Sequence, residues 1–431
     1  MRNFARFMSL LALFSCNSAL FCAPQTPPRL TLSEAQRLAI QNNPQISAAK
    51  YNAAAAYQVA PQYRAAYQPS LSGNFTGVGA DNGSRLAAGG LNNPVVYDRV
   101  GSGLSVAQMV TDFGRTGNLV AMAKLRASAQ DQVTETTRAQ ILLNTSRAYF
   151  AVLRARAVLR VANQTVSARQ LVVDQVSALA ESKLKSTLDV SFANVNLADA
   201  KLLLVQAQSD VKAAEADLAA AMGLPNETSF DLEEEPMPSP MPDRVDDMVQ
   251  AAIASRPELK NLRLQESAAQ RFTRAEHALF FPSIGVVGTA GFVPTAVEAV
   301  PGRYGAIGMN ISIPILNGGL FRARQTEAEM KAKAAAENVN DLANRVTRDV
   351  RVAFLNATTA ADRMALTKQL VDQAAQALDL AQTRYDIGLG SIVELSTAQL
   401  NHTSAQIADT SAKYDYQSQR VLLDYQIGSL H

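Results

Sequence analysis

Apolar positions recur with a helical period over most of this chain, and the longest unbroken run is residues 118–222, which holds neither Gly nor Pro. Only Lys183-Leu184-Lys185-Ser186-Thr187 has the composition of a turn there. A helix from about residue 115 to 181 would be roughly 100 Å long at about 1.5 Å per residue. No compact domain needs a rod of that length, so the spacing predicts a long antiparallel helical hairpin. Its seam is Ala148, Val152, Ala155, Leu159, Ala162, Val166, Arg169, Val173, Val176 and Ala180, stepping alternately by four and three, with Arg169 the one polar member. A mean step of about 3.5 marks a left-handed coiled coil. Knobs of Ala and Val let the helices approach closely. An isolated soluble coiled coil fits this stretch equally well.

The pattern occurs twice. Adding 205 to the seam gives Ala353, Ala357, Ala360, Met364, Thr367, Val371, Ala374, Leu378, Ala381 and Tyr385. The return helix repeats as well: Leu188, Val195, Leu202, Ser209 and Ala216 map onto Val393, Leu400, Ile407, Tyr414 and Val421, and Gly223 maps onto Gly428. Upstream the offset becomes 213, which pairs Asn43-Pro44 with Arg256-Pro257 and Pro69-Ser70 with Pro282-Ser283. The extra eight residues are a longer loop in the first half. A tandem duplication follows, with repeats at 24–222 and 244–431 joined by an irregular, Pro-rich linker at 223–243. The acidic run 231–235 in that linker reads as a solvated loop.

Each repeat opens with helical pattern. In the first, Thr31 or Ser33 is the candidate N-cap, and helix runs with interruptions to about residue 67. The texture then changes. Residues 71–80 and 100–110 read as strands around a polar loop, and 284–293 and 304–313 repeat them. In the last, Ile307, Met309, Ile311 and Ile313 face one side, and Ala306, Gly308, Asn310 and Ser312 the other. About ten residues with one apolar and one small or polar face suit an outer-membrane barrel strand. An ordinary half-buried hairpin has the same alternation.

Composition narrows the chemistry. The formal net charge is +2 and there is no basic tract, which argues against nucleic acid as a partner. His277, His402 and His431 are scattered, so no catalytic or metal site is expected. There is no GxxxxGK[ST] phosphate loop, and no cofactor is expected. Residues 1–23 read as an export signal: Arg2 and Arg6, a short apolar core too short to span a bilayer, then a small-residue cleavage region. Both cysteines, Cys16 and Cys22, lie in it, so no disulfide framework follows. Leu13-Phe14-Ser15-Cys16 loosely resembles a lipobox, which makes Cys16 a candidate for lipidation.

Four strands cannot close a barrel, for which about eight is the practical minimum, and open edges are not tolerated in lipid. If these strands lie in a membrane, several chains share one barrel, and the long helices extend it as a tube. A non-pore periplasmic coiled coil is the reading of a different class.

Leu30-Thr31-Leu32-Ser33-Glu34-Ala35 with Asn43-Pro44 resembles the opening of the TolC family of outer-membrane efflux proteins. Ser105-Val106-Ala107-Gln108 with Asp112-Phe113-Gly114, and Pro314-Ile315-Leu316-Asn317-Gly318-Gly319, resemble that family's strand-to-helix junctions. Arg384-Tyr385-Asp386-Ile387-Gly388 resembles its second hairpin tip. The resemblance implies a mainly α fold with a small β part: a homotrimer whose twelve transmembrane strands continue into a twelve-helix periplasmic barrel. It implies a periplasmic adaptor and an inner-membrane pump, of the resistance-nodulation-division (RND) or ABC type, as partners, with the outer-membrane lipid around the strands. The function implied is a passive exit duct for small toxic compounds; type I protein secretion is the alternative.

The resemblance also implies a gate at the hairpin tips, near 183–187 and 388–392. The family's gate Tyr and Asp match Tyr385 and Asp189, Gly388 lies in the second turn, and one acidic ring position matches Glu394. The Arg that completes the family's gate is replaced by Gly390, the next acidic position is Thr397, and Lys183 stands where Gly is usual. Read from the residues alone, Ser186-x-x-Asp189 resembles a capping box and Ser391-x-x-Glu394 fits one fully. Capping and gating are both open for the two acids, and packing and gating for Tyr385. Three copies of Glu394 at a constriction would favour cations.

Overall fold

The computed structural model describes residues 29–81, 99–226, 230–239, 241, 244–293 and 302–430. The expected export signal with Cys16 and Cys22, and most of the first polar loop, lie outside the described residues.

The first repeat begins with β1 (Arg29–Leu30), α1 (Leu32–Asn42), α2 (Pro44–Tyr57) and α3 (Val59–Arg64). Thr31 is the N-cap of α1, its hydroxyl accepting from Glu34 N–H at 3.2 Å. Asn43 caps α2, and Pro44 stands at the first helical position, where its missing N–H costs nothing. Strands β2 (Ser70–Val78) and β3 (Arg99–Thr111) follow, then α4 (Arg115–Glu181) and α5 (Thr187–Met222). After β4 (Asp231–Leu232) the second repeat runs α6 (Val245–Ser255), α7 (Pro257–His277), β5 (Ser283–Phe292), β6 (Arg303–Ser312), α8 (Leu320–Asp386) and α9 (Ile392–Ile427). The ends of α4 and α5 fall 205 residues before those of α8 and α9.

The strands form one antiparallel sheet in the order β2-β3-β5-β6. Its register sorts the side chains. Leu71, Val106, Gly288 and Ile307 share one row, and Gln108, Val286 and Met309 another on the same face. Ser72, Ser105, Thr289 and Ala306 form a row on the opposite face, where the Ser72 and Ser105 hydroxyls are 2.6 Å apart. The apolar face is uncovered in the single chain: Phe75 is 79% and Ile307 84% exposed. Among the described residues, both outer strands, β2 and β6, have one edge with no strand beside it.

All ten seam positions of α4, and all ten of α8, are buried or half-buried. The stripe that marks the repeat on the return helix is not the one α5 turns inward. Leu188, Val195 and Leu202 are exposed. The inward seam of α5 is Ala193, Leu197, Ala200, Leu204, Ala207, Val211, Ala214 and Leu218, every one buried or half-buried. Positions 193 and 195 lie about 200° apart around a helix, so α5 has apolar stripes on opposite sides. Sequence period alone gave no way to choose between them.

The acidic run at 231–235 is not a free loop. Asp231–Leu232 pairs in parallel with Arg29–Leu30. The buried Tyr149 hydroxyl sits 2.9 Å from Leu30 O and 2.5 Å from Glu233 O as donor. Glu235 accepts from Leu32 N–H at 2.9 Å, and Glu234 takes Lys413 Nζ at 2.8 Å. The run gains backbone and cationic partners from distant elements, which local composition does not reveal. Phe230, Leu218, Met222 and Tyr149 form the core beneath it.

Candidate functional site

At the far end of the hairpins two turns share one backbone. After α4, Lys183 N–H donates to Ala180 O and Leu184 N–H to Leu179 O; after α8, Gly388 N–H donates to Tyr385 O and Leu389 N–H to Arg384 O. Lys183 and Gly388 are the left-handed residues, with φ of 57° and 79°. Glycine takes this conformation freely and lysine does so under strain.

The tips pack together. Val172, Val173 and Val176 of α4, Ala193 and Leu197 of α5, Tyr385 of α8 and Ile392 and Leu395 of α9 form one buried cluster. Tyr385 is 5% exposed and its hydroxyl has no hydrogen-bond partner among the described residues. Burial, then the charges of Asp189 and Asp386, push that hydroxyl's pKa up. Lys185 Nζ lies 4.1 Å from the Tyr385 ring centroid.

The two acids have parted ways. Asp189 Oδ2 accepts from Ser186 N–H at 3.1 Å, while Ser186 Oγ accepts at the helix start, so the capping box of α5 is complete. In α9, Ser391 Oγ accepts from Glu394 N–H at 3.1 Å, but the Glu394 carboxylate turns to Arg384 Nε at 3.2 Å instead of closing the box expected for it. The site therefore brings Asp189, Tyr385, Gly388 and Glu394 to one end of the molecule, with no hydrogen bond between Asp189 and Tyr385. Sequence reasoning missed Lys185 and Arg384 as partners. The signal was present: Lys185 is the counterpart of Gly390 under the 205 offset.

Farther up the bundle, Arg169 is 6% exposed, with Nη1 unpartnered among the described residues, in a groove of about 480 Å³ between α5 and α9. Burial lowers its pKa, and the charge of Asp199 opposes that.

At the opposite end, the sheet meets the helices through two matched turns. Phe113 and Gly114 have φ of 51° and 93°, and Gly318 and Gly319 have 62° and 83°. Buried Asp112 accepts from the Tyr67 hydroxyl and from Thr116 N–H, each at 2.7 Å. Burial pushes the Asp112 carboxyl up, but the bonds from Thr116 and Tyr67 outweigh it and hold the pKa below the usual range. Phe113 stacks on Phe281 at 6.2 Å, His277 lies against Phe280 and Phe281, and Phe280 meets Phe321 edge-on. Aromatic rings just below an apolar strand face are what a membrane–water boundary selects. Among the described residues no helix is long and apolar enough to cross a membrane, and no cluster of His, Cys, Asp or Glu is arranged to hold a metal ion.

This geometry has relatives. The family described as "Outer membrane efflux protein" matches residues 36–224 and 248–429. The chain belongs to that family. The efflux protein is 24% identical over 421 residues to the outer membrane protein TolC of Salmonella enteritidis, covering 93% of this chain and 84% of that one. It is 25% identical over 414 residues to the alkaline protease secretion protein AprF of Pseudomonas aeruginosa, covering 93% and 85%. In fold it is similar to the outer membrane protein VceC of Vibrio cholerae, with a TM-score of 0.78 at 21% identity over 92% of this chain and 96% of that one. The efflux protein is thus a TolC-type channel protein of the outer membrane whose helices extend into the periplasm.

Proposed function

We propose that three copies of this chain form the exit duct of a tripartite efflux system. One observation carries the reading: the sheet has an exposed apolar face and two open edges, so one chain cannot sit in lipid alone. Three chains of four strands each make a twelve-stranded barrel. The outer stripe Leu188, Val195 and Leu202 supports the same assembly, because a helix in a closed wall has a neighbour on each side. The twelve helices α4, α5, α8 and α9 of three chains then continue the bore through the periplasm.

In this reading residues 1–23 direct export, Cys16 is the candidate lipid attachment point, and the repeats 24–222 and 244–431 flank the linker 223–243. The tips meet a periplasmic adaptor, and an inner-membrane pump of RND or ABC type supplies the energy. The duct itself does no chemistry. Small toxic compounds are the cargo; the likeness to AprF, a protein named for protease secretion, favours type I protein secretion as the second reading. The apolar sheet face argues against a non-pore coiled coil.

In this reading Asp189, Gly388 and Glu394 lie at the closing end, and Tyr385 acts from the buried cluster that holds the tips together. The test is to isolate the complex from outer membranes, measure its mass, and crosslink its tip to candidate adaptors. In planar lipid bilayers, Asp189→Ala and Tyr385→Leu are expected to raise ion conductance. A monomeric, lipid-free rod would overturn the assembly, and unchanged conductance in both variants would remove the tip from the gate.

A further inference from the structure

The charged groups at the two tips differ in reach. Asp189 is used inside the first hairpin, by Ser186. Arg384 and Glu394 pair inside the second. Lys185 instead crosses from the first hairpin to the second, placing its ammonium 4.1 Å from the centroid of the Tyr385 ring. Its counterpart Gly390 has no side chain to offer, and a Cβ there would come within 3.0 Å of Tyr385 N and 3.2 Å of Arg384 main-chain carbon. The duplication therefore leaves a single cation for this crossing. Tyr385 is anchored on its other sides by the Val172, Val176 and Leu395 cluster. Since its hydroxyl has no partner, the ring is the part that is held.

We propose that Lys185 is a positioning residue that keeps the tip closed, by seating its ammonium on the face of Tyr385 and so tying the α4–α5 turn to the end of α8. This rests on the reading of the tip as the gate. A cation over an aromatic face is drawn by the ring quadrupole, and more strongly where water is partly excluded. Moving one hairpin away from the other strips that contact and returns the ammonium to water. The contact thus favours the closed arrangement without any hydrogen bond to Tyr385.

The experiment compares four variants of the purified full-length protein in planar lipid bilayers, with oligomeric state and thermal melting measured on each. Lys185→Met is expected to raise conductance about threefold to tenfold, the change that losing one cation–π contact allows. Lys185→Arg keeps a cation over the ring and is expected to stay near the parent. Tyr385→Phe keeps the ring and is expected to stay near the parent, whereas Tyr385→Leu rises as Lys185→Met does. Lys185 sits in a surface turn; should its Met variant melt early, Lys185→Gln replaces it as the neutral variant. If Tyr385→Leu conducts more but the neutral Lys185 variants do not, the gate stands and this assignment of Lys185 falls. If Tyr385→Phe opens as far as Tyr385→Leu, the hydroxyl does the holding and the proposal is overturned. If no variant changes conductance, the tip is not the gate, and the reading beneath the proposal falls with it.

Discussion

In the first tip Asp189 folds back on its own helix start, whereas in the second its counterpart Glu394 leaves the helix start for Arg384. The main-chain bonds donated by Ser182, Lys183, Leu184 and Lys185 recur at Ile387, Gly388, Leu389 and Gly390, so the turns themselves are alike and the side chains make the larger difference. The shorter carboxylate of Asp189 stays close to its own N-cap. The position equivalent to Arg384 is Leu179, so no guanidinium competes for it there. One more methylene and a nearby Arg take Glu394 away. A duplicated fold can keep its turns while each copy acquires its own electrostatic partners. The first copy also keeps a lysine where the second has the glycine that the φ of the turn favours.

The largest effect expected from probing this comparison is in the shared core. Leu395 has no exposed surface, whereas its counterpart Val190 is half-buried. Leu395→Ala is expected to cost about 2–5 kcal/mol, and Val190→Ala clearly less, read as thermal or denaturant melting of the purified protein. Equal losses would show that the tips contribute alike to the cluster.

The junctions above the helices offer a second contrast, because Asp112 of the first half is Asn317 in the second. The folded-state pKa of Asp112 is depressed. Its contribution is therefore fully present above the unfolded value of about 3.9 and lost as pH falls through the folded value. Melting followed from pH 6 to pH 3 is expected to drop for the parent, at the acid end, more than for Asp112→Asn. Parallel curves would remove Asp112 from the acid response.

Next in size are the left-handed positions. Lys183→Gly is expected to stabilise the first tip, and Gly388→Lys to destabilise the second, each by about 1 kcal/mol. Differential melting of the two variants checks both signs.

The smallest energetic effect is expected at the exposed Arg384–Glu394 pair, worth at most about 1 kcal/mol. Its removal is read in selectivity instead: Arg384→Gln frees the Glu394 carboxylate and is expected to shift the reversal potential in a salt gradient toward cations. An unshifted potential would place Glu394 away from the ion path.

Much of this was legible in the chain. The seams of α4 and α8 are continuous because helical wheels repeat by geometry, and a stripe of ten positions with a single polar member, Arg169 in one and Thr367 in the other, stands out from local context. The strands were legible from alternation, to within one residue at seven of their eight ends and two at the other. The tip was legible too, since only 183–187 could turn the first hairpin. The stripe of α5 was not. Leu188, Val195 and Leu202 are as apolar and as regular as the true inward seam, and period says nothing about which neighbour each face meets. The run 231–235 was opaque for a related reason: its partners Arg29, Leu32, Tyr149 and Lys413 are distant in sequence.

By itself, then, the sequence determined the repeat, the length of the rods, the alternation of the strands and where the chain must turn, because each depends on neighbours a few residues away. Only the tertiary structure decided which apolar stripe faces inward, which strand edges stay open, that Glu394 takes Arg384, and that Lys185 lies on Tyr385. Those outcomes depend on which side chains arrive from elsewhere, and short-range polar contacts form only with groups that packing brings within a few ångströms.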